Sequence, residues 1–148
     1  MKAVLYHQYG DPEVLKTEEV DKPSPKENEV LIRVHAATAN RTDCANLTAK
    51  PFIMRFFLGL FKPRKKILGT DFAGVIEEVG SKVTKFKVGH RVFGFDDSIV
   101  SSFAEYMTYP ADDAIGLVPE NIGFEVIISR VDGEAWGQFP NVYWIALD

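Results

Sequence analysis

The polar groups with the widest chemical scope in this chain lie together in Asn40-Arg41-Thr42-Asp43, followed directly by the only cysteine, Cys44. An amide, a hydroxyl and a carboxylate in four positions can orient a polar ligand, relay a proton or accept a donor. The same side chains also hydrogen-bond their own backbone in ordinary turns, so the loop by itself leaves both roles open. Asp71 is a second carboxylate in apolar surroundings. Asp43 and Asp71 fit a structural role, each paired with an arginine such as Arg41 or Arg91. The histidines are scattered, with His7 and His35 on strand-like segments and His90 in a turn, and are expected to be non-catalytic. One cysteine permits neither an intrachain disulfide nor a thiolate-rich zinc site. No two glycines are separated by a single residue, which excludes a G-x-G-x-x-G phosphate loop within this sequence.

The elements that must position these groups read mostly as β. Val4 to Tyr6 opens a strand, Tyr9-Gly10-Asp11-Pro12 is a turn cluster, and Val14 to Val20 is placed to pair back. Glu29 to Ala36 alternates most cleanly, with Val30, Ile32 and Val34 on one face and Leu31, Arg33 and His35 on the other. Thr42 to Leu47 fits a short helix. Phe52 to Phe61 is an apolar stretch of helical length, closed by Pro63-Arg64-Lys65-Lys66. Strand signals return at Ala73 to Glu78, Arg91 to Phe95, Phe103 to Thr108, Ala114 to Val118 and Val126 to Ile128. Short strands with glycine turns predict a mainly β domain with short helices, an α+β barrel or sandwich. Gly74 falls where close backbone approach is expected, and Gly80 and Gly94 where positive φ would favour glycine.

The 148 residues suit one domain, and 46% hydrophobic against 26% charged residues is ordinary for a soluble protein. A formal charge of −4 argues against a nucleic-acid binder. The N-terminus lacks the apolar core of a secretory signal, and the Phe52 to Phe61 run is too short to span a membrane. A cytoplasmic location is the default expectation.

Gly69-Thr70-Asp71-Phe72-Ala73-Gly74-Val75-Ile76-Glu77-Glu78-Val79-Gly80 resembles the G-x-D-x-x-G-x-V-x-x-x-G signature of zinc-independent, quinone oxidoreductase-like medium-chain dehydrogenases/reductases. Phe86-Lys87-Val88-Gly89-His90-Arg91-Val92-Phe93-Gly94 resembles their F-x-x-G-D-R-V-x-G, with His90 in place of aspartate. Phe103-Ala104-Glu105-Tyr106 is similar to their [FY]-A-E-Y strand, Leu117 to Asn121 to L-P-x-N, and Asn40 to Asp43 to the N-x-x-D loop. Five weak motifs in the right order make the match specific over residues 1–123. The resemblance implies a GroES-like, partly open β-barrel.

It also implies a chemistry. In the zinc-dependent branch the Asn40 position is a cysteine ligand and the Thr70 position a histidine. An amide and a hydroxyl are poor zinc ligands and Cys44 is displaced by four residues, so the site is expected to be metal-free. Asn40 is then the expected contact to the nicotinamide and to the substrate carbonyl, with Thr42 as a proton relay. Phe52, Met54 and Phe57 are candidates for an apolar substrate pocket, with cover for another domain or a partner as an equal alternative. The implied cofactor is NADPH, and the implied substrate a small apolar quinone, enone or aldehyde.

The resemblance fades beyond residue 123, so residues 124–148 are expected to pack on or extend the barrel. No Rossmann domain is encoded in the sequence, which leaves the expected oxidoreductase portion inactive alone or dependent on a separate nucleotide-binding chain. The alternative is a non-catalytic β-barrel module binding a small apolar ligand or a partner protein. A chaperonin-type subunit is a weaker third reading.

Overall fold

A computed structural model describes residues 1–96 and 101–128, and the backbone of 143–145. Strand β1 (Lys2–Leu5) is followed by a 3-10 turn at Pro12–Val14 and pairs antiparallel with β2 (Lys16–Glu19). The long central strand is β3 (Glu29–Ala39), which leads into helix α1 (Arg41–Thr48) and the short helix α2 (Met54–Leu58). Then come β4 (Asp71–Val79), β5 (Arg91–Phe95), β6 (Tyr106–Pro110), β7 (Ile115–Leu117) and β8 (Tyr143–Ile145). The larger sheet runs β6-β3-β4-β5-β7, and β8 pairs with β3 at Ala37 to Ala39. Bridges from Ala3 to Ala104 and from Leu5 to Ile67 fasten the β1–β2 pair to the rest and curl the assembly into the partly open, mainly β barrel that the motifs imply.

Strand β3 organises this packing. It exceeds its sequence signal by three residues at the C-terminal end, and Val30, Leu31 and Ile32 are all fully buried. The expected alternation therefore fails at Leu31. β3 is paired on both edges there, with β4 and β6; the register shift at Leu31/Ile32 places the extra residue, Glu77, in β4, and the shift at Val34/Ala36 places His35 out of register in β3. The core beneath it gathers Tyr6, Val34, Leu68, Phe72, Ile76 and Val92, with Phe72 against Tyr109 at 4.9 Å between ring centroids. Burial, aided by Tyr9 and Asp43, pushes the Tyr6 hydroxyl up to about 12, so it stays neutral in the core.

Two expectations for local structure are corrected. Residues 124–128 are helical rather than extended. A β-branched triplet is ambiguous when short, and here helical spacing lets Phe124, Ile127 and Ile128 pack on Ala36 and Ala73. The apolar run 52–61 forms only the five residues of α2, because Gly59 takes φ +127° and ends the helix.

The glycine argument also changes. Neither Gly80 nor Gly94 has positive φ; that conformation falls to Gly59, Gly69 and Gly89. Gly94 lies within β5, where a Cβ would sit 2.5 Å from the Phe72 ring and 2.6 Å from the Ala114 carbonyl. A Cβ on Gly74 would run into the Arg33 carbonyl of β3, and one on Gly80 into the Lys26 and Glu27 carbonyls. Close approach is the reason at all three, as expected at Gly74 alone.

Phe124 is clamped on the barrel between the His35 ring, stacked at 4.9 Å, and the Arg91 guanidinium, 4.4 Å from its centroid. Arg91 also donates to the carbonyls of Pro119, Glu120 and Ile122, so one side chain ties down the whole segment leaving β7. Burial and then the Arg33 charge hold His35 below its usual 6.5, with Glu125 pulling the other way and Arg91 adding to the depression.

Two predictions follow from this packing. Gly74→Ala is expected to destabilise by about 2 kcal/mol or more, since the obstacle is backbone rather than a movable side chain, and urea unfolding measures it. His35 contributes nothing to the pH dependence of stability well above 6.5, where both states are neutral. As pH falls through 6.5 the unfolded chain protonates first and stability drops. Thermal melts at pH 7.5 and 5.5 should therefore show a smaller acid loss in His35→Phe, which keeps the stack but cannot titrate.

Candidate functional site

The junction between β3 and α1 meets the start of β4 in a buried hydrogen-bond network. Asn40 is the N-cap of α1: its Oδ1 accepts from the amides of Thr42 at 2.9 Å and Asp43 at 3.2 Å. Asp43 completes a reciprocal capping box by accepting the Asn40 amide at 3.0 Å. The other Asp43 oxygen reaches out of the helix and accepts the Gly69 amide at 3.0 Å. One carboxylate thus ties the first turn of α1 to the approach to β4. That tie brings Asn40 Nδ2 to 2.7 Å from Thr70 Oγ1, to which it donates.

Asp71, the next residue, is fully buried and holds the end of β3. The Thr38 amide donates to it at 2.7 Å, and the Thr38 hydroxyl donates to its second oxygen. Both carboxylates accept from backbone amides and Asp71 also from a hydroxyl, while Arg91 donates to carbonyls beyond β7. The sequence showed Asn40 and Asp43 as side chains able to bond their own backbone, and the capping box is the form this takes. The partners at Thr38 and Gly69 were not visible in it, because they lie 26 to 33 positions away.

The network gathers Asn40, Asp43, Thr70 and Asp71, all nearly or fully buried. Thr42 is half-buried in the first turn of α1, and Cys44 is exposed one position past Asp43. Asn40 is 8% exposed. The Nδ2 group has two hydrogens, and a single hydrogen bond to Thr70 engages one of them. The arrangement can present one N–H to a carbonyl oxygen from a rigid mount.

The apolar candidates fall elsewhere. Phe52 and Phe57 are 61% and 76% exposed, and Met54 is half-buried. They form an open face rather than an enclosed pocket. A surface depression of about 550 Å³ lies on another side, with Val20, Ile67, Met107 and Tyr109 among its walls, and none of Phe52, Met54 and Phe57 lines it.

The histidines take structural places. His7 bonds Glu18 at 2.8 Å, His35 stacks on Phe124, and His90 Nδ1 accepts the Lys87 amide at 3.3 Å. That last bond lies within the turn leading into β5. Among the described residues no group of three or more His, Cys, Asp or Glu is placed to hold a metal ion.

Asp43→Ala should orphan the Asn40 and Gly69 amides and remove half of the capping box. A loss of about 2–3 kcal/mol is expected, measured by denaturant unfolding. Asp43→Asn keeps one acceptor and is expected to recover part of that loss.

The profile of the alcohol dehydrogenase GroES-like domain family matches residues 26–120. Quinone oxidoreductase of Sus scrofa is 35% identical over 130 residues, covering 84% of this chain and 36% of that protein. A 2-methylene-furan-3-one reductase of Solanum lycopersicum is 35% identical over 132 residues, covering 84% of this chain and 32% of that protein. Among solved structures, the quinone oxidoreductase from Coxiella burnetii superposes with TM-score 0.71 at 31% identity, covering 84% of this chain and 38% of that one. The Escherichia coli quinone oxidoreductase complexed with NADPH gives TM-score 0.69 at 26% identity, over 84% of this chain and 35% of that one. The chain thus spans little more than a third of the length of such relatives. With its motif order, its barrel and these likenesses together, the chain belongs to the alcohol dehydrogenase GroES-like domain family, within the quinone oxidoreductase-like medium-chain dehydrogenases/reductases.

Proposed function

We propose that this chain is the catalytic-domain portion of an NADPH-dependent oxidoreductase acting on a small apolar quinone, enone or aldehyde. The observation that carries the reading is the hydrogen bond from Asn40 Nδ2 to Thr70 Oγ1. These two residues stand at the positions that the resemblance assigns to the cysteine and histidine ligands of zinc-dependent relatives. The donor set does not suit zinc: an amide and a hydroxyl are bonded to one another, and the thiol of Cys44 lies exposed on α1. Carbonyl polarisation then falls to a hydrogen-bond donor, and the second Asn40 amide hydrogen is the candidate for that role.

NADPH, when bound, supplies the hydride. Asn40 orients the acceptor carbonyl or the nicotinamide amide, and the half-buried Thr42 hydroxyl is the group placed to pass on a proton. The phosphates need a cradle of backbone amides, and this sequence carries no Gly-rich loop of that type. The partner that completes the site is a nucleotide-binding domain, from a separate chain or a longer one. A module without catalysis remains the second reading; the depression walled by Ile67, Met107 and Tyr109, apart from Asn40, favours it.

The chain alone is expected to show no saturable change in NADPH fluorescence below millimolar concentration. Joined to the nucleotide-binding portion of a quinone oxidoreductase relative, it is expected to support NADPH-dependent quinone reduction. Asn40→Asp, which keeps the cap but loses the donor, should then lower kcat/KM by about 100-fold. A folded hybrid without turnover, or one indifferent to Asn40→Asp, overturns the proposal.

A further inference from the structure

Residues 50–66 differ from the rest of the chain in charge as well as in exposure. They hold six of its 17 cationic residues, Lys50, Arg55, Lys62, Arg64, Lys65 and Lys66, and none of its 21 acidic ones. The same segment exposes Phe52, Ile53, Phe56, Phe57, Leu60 and Phe61, with Phe57 at 76% and Phe61 at 85%. Elsewhere among the described residues, large exposed apolar side chains occur singly, at Val79, Val88, Leu117 and Val126.

The segment is mounted firmly. The Tyr9 hydroxyl donates to the Gly59 carbonyl at 2.7 Å, and the Arg55 guanidinium lies 5.1 Å from the Tyr9 ring centroid. The Arg64 amide donates to the Leu58 carbonyl at 2.9 Å, which closes a loop whose tip carries Leu60, Phe61 and Lys62. The Tyr6 amide bonds the Lys66 carbonyl at 2.9 Å and fixes the far end to the barrel. A rigid mount lowers the ordering cost of docking.

We propose that this face docks the chain peripherally on an anionic lipid surface. Bilayer interfaces accept aromatic and aliphatic side chains to the level of the acyl boundary, while adjacent lysines and arginines meet the headgroup charge. Both halves of that requirement are present in one segment of a chain whose formal charge is otherwise negative. An enclosed substrate pocket would account for the apolar side chains but not for the acid-free cationic run. No helix among the described residues is long and apolar enough to cross a membrane, and the attachment proposed is superficial. It does not depend on the oxidoreductase reading.

The test is cosedimentation of the chain with vesicles of phosphatidylcholine, with and without 30 mol% phosphatidylserine (a composition on the order of an anionic leaflet), at low and at raised salt. Binding is expected to the anionic vesicles only and to weaken as salt rises. Phe57→Ser with Phe61→Ser, at side chains too exposed to matter for folding, should lower the partition coefficient at least about tenfold. Lys62→Gln with Arg64→Gln should lower it and flatten the salt dependence. The proposal is overturned by no sedimentation with anionic vesicles at low salt, by equal binding to phosphatidylcholine alone, or by binding indifferent to the phenylalanine pair. A dimer in sedimentation velocity that the same phenylalanine pair dissolves would overturn it in favour of a second copy of this chain.

Discussion

The Asp43 carboxylate is the constraint on which the candidate site depends. One oxygen closes the capping box on Asn40 and the other accepts the Gly69 amide, so the start of α1 and the approach to β4 share one anchor. Gly69 can stand there because φ +110° is open to it, and because a Cβ would overlap the buried Ser102 hydroxyl. Asn40 meets Thr70 only when those two segments are in register. Asp71 then repeats the device one residue on, holding Thr38 at the end of β3. Two buried carboxylates therefore set the position of an amide that neither of them touches through its nitrogen.

Much of this frame was legible from residue types. The glycine spacing, the self-bonding side chains of the Asn40 to Asp43 loop and the alternation along Glu29 to Ala36 each report a local requirement, and local requirements leave local patterns. The capping box is an example, since both of its partners lie within four residues. What was not legible depends on distant partners. Gly80 and Gly94 were assigned to positive φ because a turn is local, whereas the carbonyls and ring that exclude a side chain there come from other segments. Leu31 was placed on the face opposite Val30 and Ile32, and its full burial depends on neighbours outside its own strand.

The apolar run 52–61 and the triplet 126–128 failed for different reasons. Helical length was visible in the run, but its persistence was not: Gly59 ends α2, and Leu60 and Phe61 beyond it are exposed. The triplet is too short for its β-branched character to decide, and its helical form follows from the surface offered by Ala36 and Ala73. Likewise, the likeness to quinone oxidoreductases locates a barrel, while the hydrogen bonds that gather Asn40, Asp43 and Thr70 appear only in the folded chain.

The manner in which β1 is held has a consequence for the order of assembly. Val4 donates to the Phe103 carbonyl, Glu105 donates to the Lys2 carbonyl, and Tyr6 to the Lys66 carbonyl. Two of these three anchors come from residues 103 and 105, so they form only when the intervening chain has folded back onto the strand. Until then β2 is its nearest pairing partner, and the interval is entropically costly because long loops must close before they are rewarded. Closure of this barrel is therefore expected to be a late event in folding, set by loop-closure entropy rather than by local pairing.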